Sequence, residues 1–457
     1  MNILKIGDAL NRLLDRSSPG IRKIAGNTGW LVVDRLVRMG LGVVITVWIA
    51  RYLGPAQFGI FNFALSFVTL FATLTTLGLD NIILREIVLD HSKASEILGT
   101  GITLRIVVSI LAPLIAIATI RVIQPNDRIA ILLVSLLSIG LVFQAFDTID
   151  FYFQSQVQSK LTVWAKNSAF LLMAGFRVLL IHLKAPLWSF AVAQVTELAL
   201  GALGMIAAYQ WSGGRVSLWR ARKQRAIELL SQSWPVILSG MAIMIYMRID
   251  MVMLKVMQGD KATGIYAAAT RVSEVWYFIP SAIVSSVSPS IIRARSNPDL
   301  YYGRIGKLFN LMTSIALLIG SGIALSSHWI IHILYSDAYN AAAPVLAVHV
   351  WASVFVFLGV AQAPWDFSEN LLKLGFYRTV TGAIANVLMN LVLLPRYSAM
   401  GAAVATVVSY AISSVFANAF SSDTRPIFFM QMRSFLLADL WLKDPTRIGR
   451  ARSTHKT

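Results

Sequence analysis

The chain has 457 residues, of which 56% are hydrophobic and 14% are charged, and its mean hydropathy is +0.67. A soluble domain carries about 25% charged residues, so the composition excludes a soluble globular protein and predicts a polytopic membrane protein. The absence of cysteine excludes disulfide frameworks, thiolate metal sites and a cysteine nucleophile. The net charge of +18 first bears on the orientation of the chain in the membrane, because basic residues concentrate in cytoplasmic segments, and only then on the charge of a ligand.

The N-terminal segment, residues 1–27, does not have the apolar core of a cleavable signal peptide, because Lys5, Asp8, Arg12 and Asp15 interrupt it. Its apolar residues share one helical face. We therefore predict an amphipathic helix on the cytoplasmic membrane surface, and the alternative is a frayed helix in solvent.

Continuous apolar runs of about 20 residues predict an all-α membrane fold with twelve transmembrane helices. A β-barrel is disfavoured because the runs do not alternate between apolar and polar residues. The predicted spans are 28–50, 57–79, 101–120, 129–150, 163–183, 187–211, 229–257, 264–290, 308–327, 341–364, 374–394 and 399–420.

The distribution of basic residues predicts the orientation of these spans. Of the 40 Lys and Arg residues, 26 lie in segments on one side, six lie on the other side and eight lie within spans, where Arg378 in the first turns of span 374–394 is counted with the segment that precedes it. Basic residues concentrate in cytoplasmic segments, so both termini are predicted to be cytoplasmic, and most of the +18 reports topology.

An internal repeat divides the chain. The segment LGPAQFGIFNFA, residues 53–64, matches QGDKATGIYAAA, residues 258–269, at an offset of 205 residues. We predict two parallel six-helix bundles, 28–211 and 229–420, joined by a basic linker, 212–228. Parallel repeats are one plan of secondary transporters, which place the substrate site between the halves. The basic tail, 421–457, is expected to begin with a second interfacial helix.

Four arginines lie deep within predicted spans, where each costs about 2.5 to 3.5 kcal/mol unless it meets water or a partner. They are Arg35, Arg38, Arg248 and Arg271. One interpretation is that they form interhelical ion pairs. The other is a net-basic, water-filled cavity in which guanidinium groups bind a phosphorylated headgroup in bidentate fashion.

The intramembrane acids are the candidate partners of these arginines. Asp34 lies within helical reach of Arg38, and Glu274 lies three residues after Arg271. Glu197 stands alone in the sixth span. The other basic residues within spans, Arg105, Lys166, Arg177 and Lys255, lie near span ends and are expected to extend to the headgroups.

Asp250, Asn386 and Asn390 form a candidate site for a coupling cation. Asn386 and Asn390 share one face of the eleventh span, and their amide oxygens and a carboxylate are suitable cation ligands. The alternative is amide bonding between helices. The spacing does not establish that the seventh and eleventh spans touch.

The sequence contains no phosphate-binding loop of the GxxxxGK[ST] type, no HExxH or GxSxG motif and no paired carboxylates. The six histidines are scattered, and none indicates a firm metal site. We therefore predict a non-enzymatic protein without a bound cofactor, coupled at most to a Na⁺ or H⁺ gradient, and without a nucleic-acid partner.

Two segments resemble a known family. They are WIARYLGPAQFGIFNFALSFVTLFATLTTLGLDNIILREI, residues 48–87, and NVLMNLVLLPRYSAMGAAVATVVSYAIS, residues 386–413. Both resemble the Wzx-type flippases for polysaccharides and lipid-linked oligosaccharides, a branch of the multidrug/oligosaccharidyl-lipid/polysaccharide exporter superfamily. The Tyr-Gly pair usual in that family is here Tyr397 and Ser398.

The resemblance implies a two-bundle, alternating-access flippase of the plasma (inner) membrane. Its expected cargo is a polyprenyl-diphosphate-linked glycan, such as an O-antigen, capsule or exopolysaccharide repeat unit, and a polysaccharide polymerase complex is a candidate partner. Relatives hold the pyrophosphate with basic residues in a central cavity, which agrees with the role inferred above for the four arginines.

Two alternatives remain open. A multidrug cation exporter of the same fold would favour an acidic pocket, whereas the eight basic residues named above outnumber the four acids Asp34, Glu197, Asp250 and Glu274. A membrane glycan polymerase or ligase usually carries a large loop outside the membrane, and the longest such loop predicted here covers only residues 327–341.

Overall fold

The computed structural model describes residues 19–436, and describes side chains from residue 38 onward. The predicted amphipathic segment therefore lies outside the described residues up to residue 18, as does the tail beyond residue 436. The side chains of Asp34 and Arg35 also lie outside the described set, although their backbone is helical.

The described chain is built from α-helices, which confirms the predicted fold class. The first half contains α1 (Pro19–Thr76), α2 (Asp80–Leu89), α3 (Ala94–Ile123), α4 (Arg128–Gln144), α5 (Thr148–Ser155), α6 (Ser159–His182) and α7 (Leu187–Trp211). The second half contains α8 (Lys223–Glu274), α9 (Phe278–Arg293), α10 (Pro298–Tyr335), α11 (Ala342–His349), α12 (Ala352–Ser368), α13 (Leu372–Ser414) and α14 (Arg425–Phe435). Short 3-10 helices lie at His91–Lys93, Ala145–Asp147, Val216–Leu218, Val275–Tyr277, Ala294–Ser296, Asp337–Tyr339 and Phe416–Ala419.

Three of the long helices are interrupted where two predicted spans meet. The interruptions lie at Gly54 (φ 70°) in α1, Gly259 (φ 81°) in α8 and Ser398 (φ 50°) in α13. Glycine adopts a positive φ without steric cost, so the repeat places a glycine at each of the first two breaks. Within residues 19–436, nine helical stretches are long and apolar enough to cross a membrane. The count of twelve crossings stays a prediction.

Side-chain caps set the start of several helices. The Asn297 side chain accepts a hydrogen bond from the Leu300 amide at 3.2 Å, and Pro298 occupies the first turn of α10. Asp127 caps α4 in the same way, accepting from the Ala130 amide at 2.9 Å. Both residue types are preferred caps because they satisfy amide groups that the first helical turn leaves unbonded.

The chain forms two compact units whose boundaries differ from those of the predicted bundles. The first unit includes Phe71–Leu238 and the residues up to Ile49, whereas the second includes Ala50–Leu70 and the chain from Ser239 onward. The segment Ala50–Leu70 thus belongs with the second half of the chain. The basic linker and the start of α8 belong with the first half.

Contacts of the basic linker explain why it groups with the first unit. The Arg222 amide donates to the Thr100 hydroxyl at 3.2 Å, and the Arg222 guanidinium lies 3.0 Å from the Glu96 carboxylate. Arg225 pairs with Glu86 at 2.7 Å. The linker therefore packs against the start of α3 and against α2.

Each unit has its own apolar core. In the first unit, buried residues of α2, α3, α5 and α7 pack together, among them Ile83, Ile97, Phe153 and Met205. In the second unit, α10 and α12 pack around Phe309, Met312, Phe357 and Trp365.

The helix expected at the start of the tail is present as α14, and it packs into the core of the second unit. Ile427 and Met430 are buried there, whereas Phe429 and Met432 are exposed on the opposite face. The Gln431 side chain donates to the Gln362 side chain of α12 at 3.2 Å. The helix therefore has one face fixed in the protein and one apolar face outside it.

Candidate functional site

The Asp250 carboxylate is the centre of a buried polar site in the second unit. Asp250 lies on α8 before the Gly259 break, and it is 3% exposed. Its Oδ2 accepts hydrogen bonds from the Thr406 hydroxyl at 2.7 Å and from the Tyr266 hydroxyl at 3.1 Å. Its Oδ1 accepts from the Asn390 amide. Both halves of α8 and both halves of α13 therefore contribute to the site.

The two asparagines extend the site along α13. The Asn390 amide also donates to Oδ1 of Asn386 at 3.1 Å, and the Asn386 amide donates to the Ser409 hydroxyl at 3.3 Å. Oδ1 of Asn390 is buried and has no hydrogen-bond partner among the described side chains and backbone. An unbonded amide oxygen beside a carboxylate is a suitable cation ligand.

The structure thus brings together the three predicted members of the cation site, Asp250, Asn386 and Asn390, which shows that the seventh and eleventh predicted spans touch. It adds Thr406 and Tyr266, which sequence reasoning did not find. A weak signal existed for Tyr266, because Phe61 occupies the equivalent position of the first repeat. Thr406 is one hydroxyl in an apolar run, and no spacing distinguishes it.

An arginine adjoins this site. The Arg248 guanidinium lies 3.4 Å from the Glu274 carboxylate, and these side chains are 31% and 21% exposed. Arg248 and Glu274 share one pocket with Asp250. Its lining also includes Met247, Met251, Tyr266, Thr270, His349, Thr406 and Tyr410.

His349 closes one wall of the pocket. Its Nδ1 lies 2.6 Å from the Ser273 hydroxyl, and its ring stands edge-on to Tyr266 with 5.7 Å between ring centroids. Since Tyr266 also bonds to Asp250, the histidine helps to hold the hydroxyl that contacts the carboxylate.

Arg271 and Glu274 do not form the i, i+3 pair that the spacing indicates. Glu274 instead faces Arg248, which lies on the other side of the Gly259 break. Arg271 is exposed at the surface of the chain. The break at Gly259 folds α8 back so that its two halves line the same pocket. Glu274 is therefore close to Arg248 and pairs with it.

Arg38 lies in the first unit and contacts α6. Its Nε donates to Oδ1 of Asn167 at 2.6 Å, and its guanidinium lies 5.8 Å from the centre of the Phe170 ring. A cation over an aromatic face is attracted to the ring.

Glu197 is paired, contrary to the isolated position that the sequence indicates. It lies 2.7 Å from Arg177 of α6, and Gln194 accepts a further hydrogen bond from that guanidinium at 3.0 Å. Both charged side chains are mostly buried. Arg177 therefore does not reach for the headgroups, and the pair is a contact between α6 and α7.

The other basic residues near span ends are also paired. Arg105 bonds to Asp80 and Lys255 bonds to Asp260, and the two basic side chains are 3% and 6% exposed. Lys166 lies 2.6 Å from Asp147 and is partly exposed. In a medium without water, a nearby carboxylate stabilises a charged side chain. These three basic residues therefore form ion pairs, whereas the sequence predicts that they extend to the headgroups.

The predicted site residues therefore divide between the two units. Arg248, Glu274, Asp250, Asn386 and Asn390 meet around one pocket in the second unit. Arg38 and Glu197 occupy separate contacts in the first unit. Among the described residues, no group of three or more His, Cys, Asp or Glu side chains is arranged to hold a metal ion.

Comparison with known proteins places the chain in a family. The family described as "Polysaccharide biosynthesis protein" matches residues 24–295, which is more than half of the chain.

Two curated relatives come from Haloferax volcanii. One, named probable low-salt glycan biosynthesis flippase Agl15, is 23% identical over 46% of this chain and 46% of its own length. The other, named probable flippase AglR, is 24% identical over 44% of this chain and 43% of its own length. The chain thus matches less than half the length of these relatives.

Solved structures share the fold at low identity. An inward-facing multidrug resistance MATE family transporter of the MOP superfamily has a TM-score of 0.67 and 13% identity, covering 89% of this chain and 99% of that one. The lipid II flippase MurJ in an inward closed conformation has a TM-score of 0.66 and 14% identity, covering 92% and 93%. A MOP superfamily transporter from Pyrococcus furiosus, described as having a binding pocket of reverse polarity, has a TM-score of 0.59 and 13% identity, covering 93% and 99%.

Proposed function

The chain belongs to the polysaccharide biosynthesis protein family, and we propose that it flips a polyprenyl-diphosphate-linked oligosaccharide across the plasma membrane. The cargo, an O-antigen, capsule or exopolysaccharide repeat unit, moves from the inner to the outer leaflet. The protein transports and does no covalent chemistry. Both termini are cytoplasmic in this proposal, which follows the distribution of basic residues.

The observation that carries the proposal is that Arg248 and Asp250 border the same pocket. A guanidinium offers two parallel N–H groups to a phosphate, and Arg248 is only partly covered by Glu274. A diphosphate that binds here would displace the Glu274 carboxylate from Arg248 or share the guanidinium with it. Arg38 and Arg271 would act on the same headgroup at other stages of its passage, and Arg35 is proposed for the same role from the sequence alone.

Asp250 supplies the proposed coupling to an ion gradient. The site holds one carboxylate, and its other oxygens come from neutral amides and hydroxyls, so its charge suits a monovalent cation, Na⁺ or H⁺. The partnerless Oδ1 of Asn390 supports this role, because a bound cation would satisfy it.

A multidrug cation exporter is the second candidate, because a MATE family transporter shares the fold. Such an exporter binds cations, so its pocket would need exposed acidic groups. Here Glu274 faces Arg248, and Asp250 is bonded to three other side chains. These contacts favour the anionic cargo.

The test is complementation of a strain in which this gene is deleted. The proposal predicts that the chain restores surface glycan, that Arg248→Ala abolishes this display at normal expression, and that resistance to cationic drugs is unchanged. Drug resistance without glycan display would support the exporter. A polysaccharide polymerase complex is a further proposed partner. Co-purification of the polymerase with this protein from detergent-solubilised membranes tests it separately.

A further inference from the structure

The basic linker lies directly against the helices of the first unit. A Cβ atom added to Gly99 of α3 would lie 2.5 Å from the amide nitrogen of Arg220, and one added to Gly214 would lie 2.5 Å from the Tyr209 ring of α7. The Trp219 ring packs beside Tyr209, with 5.4 Å between ring centroids. Real Cβ atoms essentially never come within 3.0 Å of another heavy atom, so neither glycine has space for a side chain. The linker backbone is therefore held in one position on α3 and α7.

The basic side chains of the linker form two sets. Arg222 and Arg225 are used for structure, because they pair with Glu96 at 3.0 Å and with Glu86 at 2.7 Å. The side chains of the second set are exposed, and no ion pair involves them among the side chains that the structure describes from residue 38 to residue 436. They belong to Arg215, Arg220 and Lys223.

Apolar side chains are exposed beside this second set. Trp211, the last residue of α7, is 84% exposed, and Leu218 is 50% exposed. Tryptophan is enriched at the boundary between membrane and water, where its ring lies at the level of the headgroups. Residues 211–227 also contain no aspartate or glutamate. The linker therefore presents basic and apolar groups together, next to the end of a predicted span, without an acidic residue among them.

We propose that this linker surface, formed by Trp211, Arg215, Leu218, Arg220 and Lys223, binds anionic phospholipids of the cytoplasmic leaflet. Basic residues beside the cytoplasmic end of a membrane helix are attracted to anionic headgroups, and each strengthens binding by up to about fivefold. The predicted orientation of the chain places the linker on that side. This lipid is a component of the bilayer and not the cargo, so the site is separate from the proposed transport function.

The exposed apolar groups favour a lipid over a soluble acidic partner. The apolar groups of an interfacial segment enter the boundary between headgroups and acyl chains while its basic groups stay at the headgroups. Trp211 and Leu218 suit the first role, and the three exposed basic residues suit the second. A soluble acidic protein would neutralise the charge but gives no reason for an 84% exposed tryptophan at the end of a predicted span.

The chain has no cysteine, so one thiol can carry a reporter of lipid contact. Leu218→Cys would be labelled with the fluorophore NBD, and the full chain would be placed in nanodiscs of phosphatidylcholine and phosphatidylglycerol. Nitroxide-labelled phosphatidylglycerol should quench NBD more strongly than nitroxide-labelled phosphatidylcholine does. This preference should weaken between about 0.1 M and about 1 M salt, because salt screens exposed charges.

Replacing the exposed basic residues should remove the preference for the anionic lipid. Each of Arg215→Gln, Arg220→Gln and Lys223→Gln should lower it by up to about fivefold, and the triple variant should abolish it. Trp211→Ala should instead lower the quenching by both lipids to the same extent, because it removes an apolar group and no charge.

A second triple variant is the matched control. It removes the same charge from exposed positions of the first unit that are predicted to lie on the other side of the membrane, and it should leave the preference unchanged. Its substitutions are Arg121→Gln, Arg128→Gln and Lys184→Gln.

Three results would overturn the inference. The first is equal quenching by the two lipids when the linker keeps its basic residues, and the second is an equal loss of preference in the two triple variants. The third is an NBD group that soluble acrylamide quenches and neither lipid does, which would leave an acidic protein as the partner. The measurement uses no cargo, so its failure would not affect the proposed function, and a failed transport assay would not affect the lipid site.

Discussion

The Tyr266 hydroxyl lies 3.1 Å from Oδ2 of Asp250 and 3.0 Å from the Thr406 hydroxyl, so one side chain joins the second half of α8 to both the carboxylate and α13. Among the residues whose side chains the structure describes, the first repeat has no such site. At the offset of 205 residues, Ile45 stands in the place of Asp250 and Phe61 in the place of Tyr266. Both copies of the repeat therefore form helices, whereas the polar site around Asp250 is found in the second copy.

Asp250→Asn should remove any response to the proposed coupling ion, Na⁺ or H⁺, while the protein still folds. Asparagine keeps the size of the side chain and its ability to accept hydrogen bonds from Thr406 and Tyr266, but it lacks the charge that attracts a cation. The measurement is the dependence of glycan display on external Na⁺ and on pH. Asp337→Asn is the control, because Asp337 is exposed. An unchanged ion response in the Asp250 variant would exclude this carboxylate from coupling.

Tyr266→Phe should weaken both the site and the fold slightly. The two lost hydrogen bonds, to Asp250 and Thr406, are expected to lower the free energy of unfolding by about 0.6 kcal/mol each, the mean for side-chain hydrogen bonds between membrane helices. Thermal unfolding in detergent, with and without Na⁺, measures it. Tyr335→Phe removes a hydroxyl from an equally buried tyrosine outside the site and serves as control. If both variants lose the same Na⁺-dependent stabilisation, Tyr266 has no specific part in the site.

The arginine at position 248 should be needed for its shape as well as its charge. Arg248→Lys keeps the charge but loses the planar fork that binds phosphate in bidentate fashion, so glycan display is expected to fall but not to vanish. Arg248→Ala should abolish it. Arg121→Ala, at an exposed position, should have no effect. Full activity of the alanine variant at normal expression would contradict the proposed grip on the diphosphate.

Much of the helical layout follows from the sequence, whereas the partners of polar residues do not. The span predicted at 187–211 coincides with α7 because Pro186 precedes it and a polar turn follows Trp211. Gly54 and Gly259 were recognisable from the repeat. Thr406 was not, because its role depends on how α13 packs against α8.

The partners of the charged residues also could not be predicted from the sequence. Spacing along one helix indicates an Arg271 pair for Glu274, but the Gly259 break brings Arg248 to it instead. Glu197 has no partner within helical spacing and finds Arg177 on the neighbouring helix. Ion pairs between helices depend on how the helices pack, and neither hydropathy nor helical periodicity predicts that packing.

The pair of Arg177 and Glu197 should therefore be structural. Glu197→Ala leaves a buried guanidinium without its carboxylate and should destabilise the protein by about 3 to 5 kcal/mol. The double variant Arg177→Leu with Glu197→Leu should recover most of this loss, because it removes both charges. Thermal unfolding of purified protein compares them. A stable Glu197→Ala protein that is defective in glycan display would instead place Glu197 in the transport pathway.

Ser398 carries a strained backbone that a glycine should relieve. Its φ of 50° is unfavourable for a residue with a side chain, so Ser398→Gly is expected to raise the free energy of unfolding by about 1 kcal/mol. Ser326→Gly, within the helical part of α10, should lower it by about 0.5 to 1 kcal/mol. Equilibrium unfolding in detergent compares the two. Changes of the same sign would show that the conformation at Ser398 is not strained.

Movement of a diphosphate-linked glycan between leaflets is the function proposed for this protein, and it can be measured in reconstituted vesicles. Purified protein in vesicles would be supplied with a fluorescent polyprenyl-diphosphate-linked sugar, and the fraction that becomes protected from an external quencher would be measured. We expect movement by the natural chain, none above empty vesicles for Arg248→Ala, and competition by excess polyprenyl diphosphate but not by an organic drug cation. Equal movement by the natural chain and the Arg248→Ala variant, or competition by the drug cation alone, would rule out the proposed function.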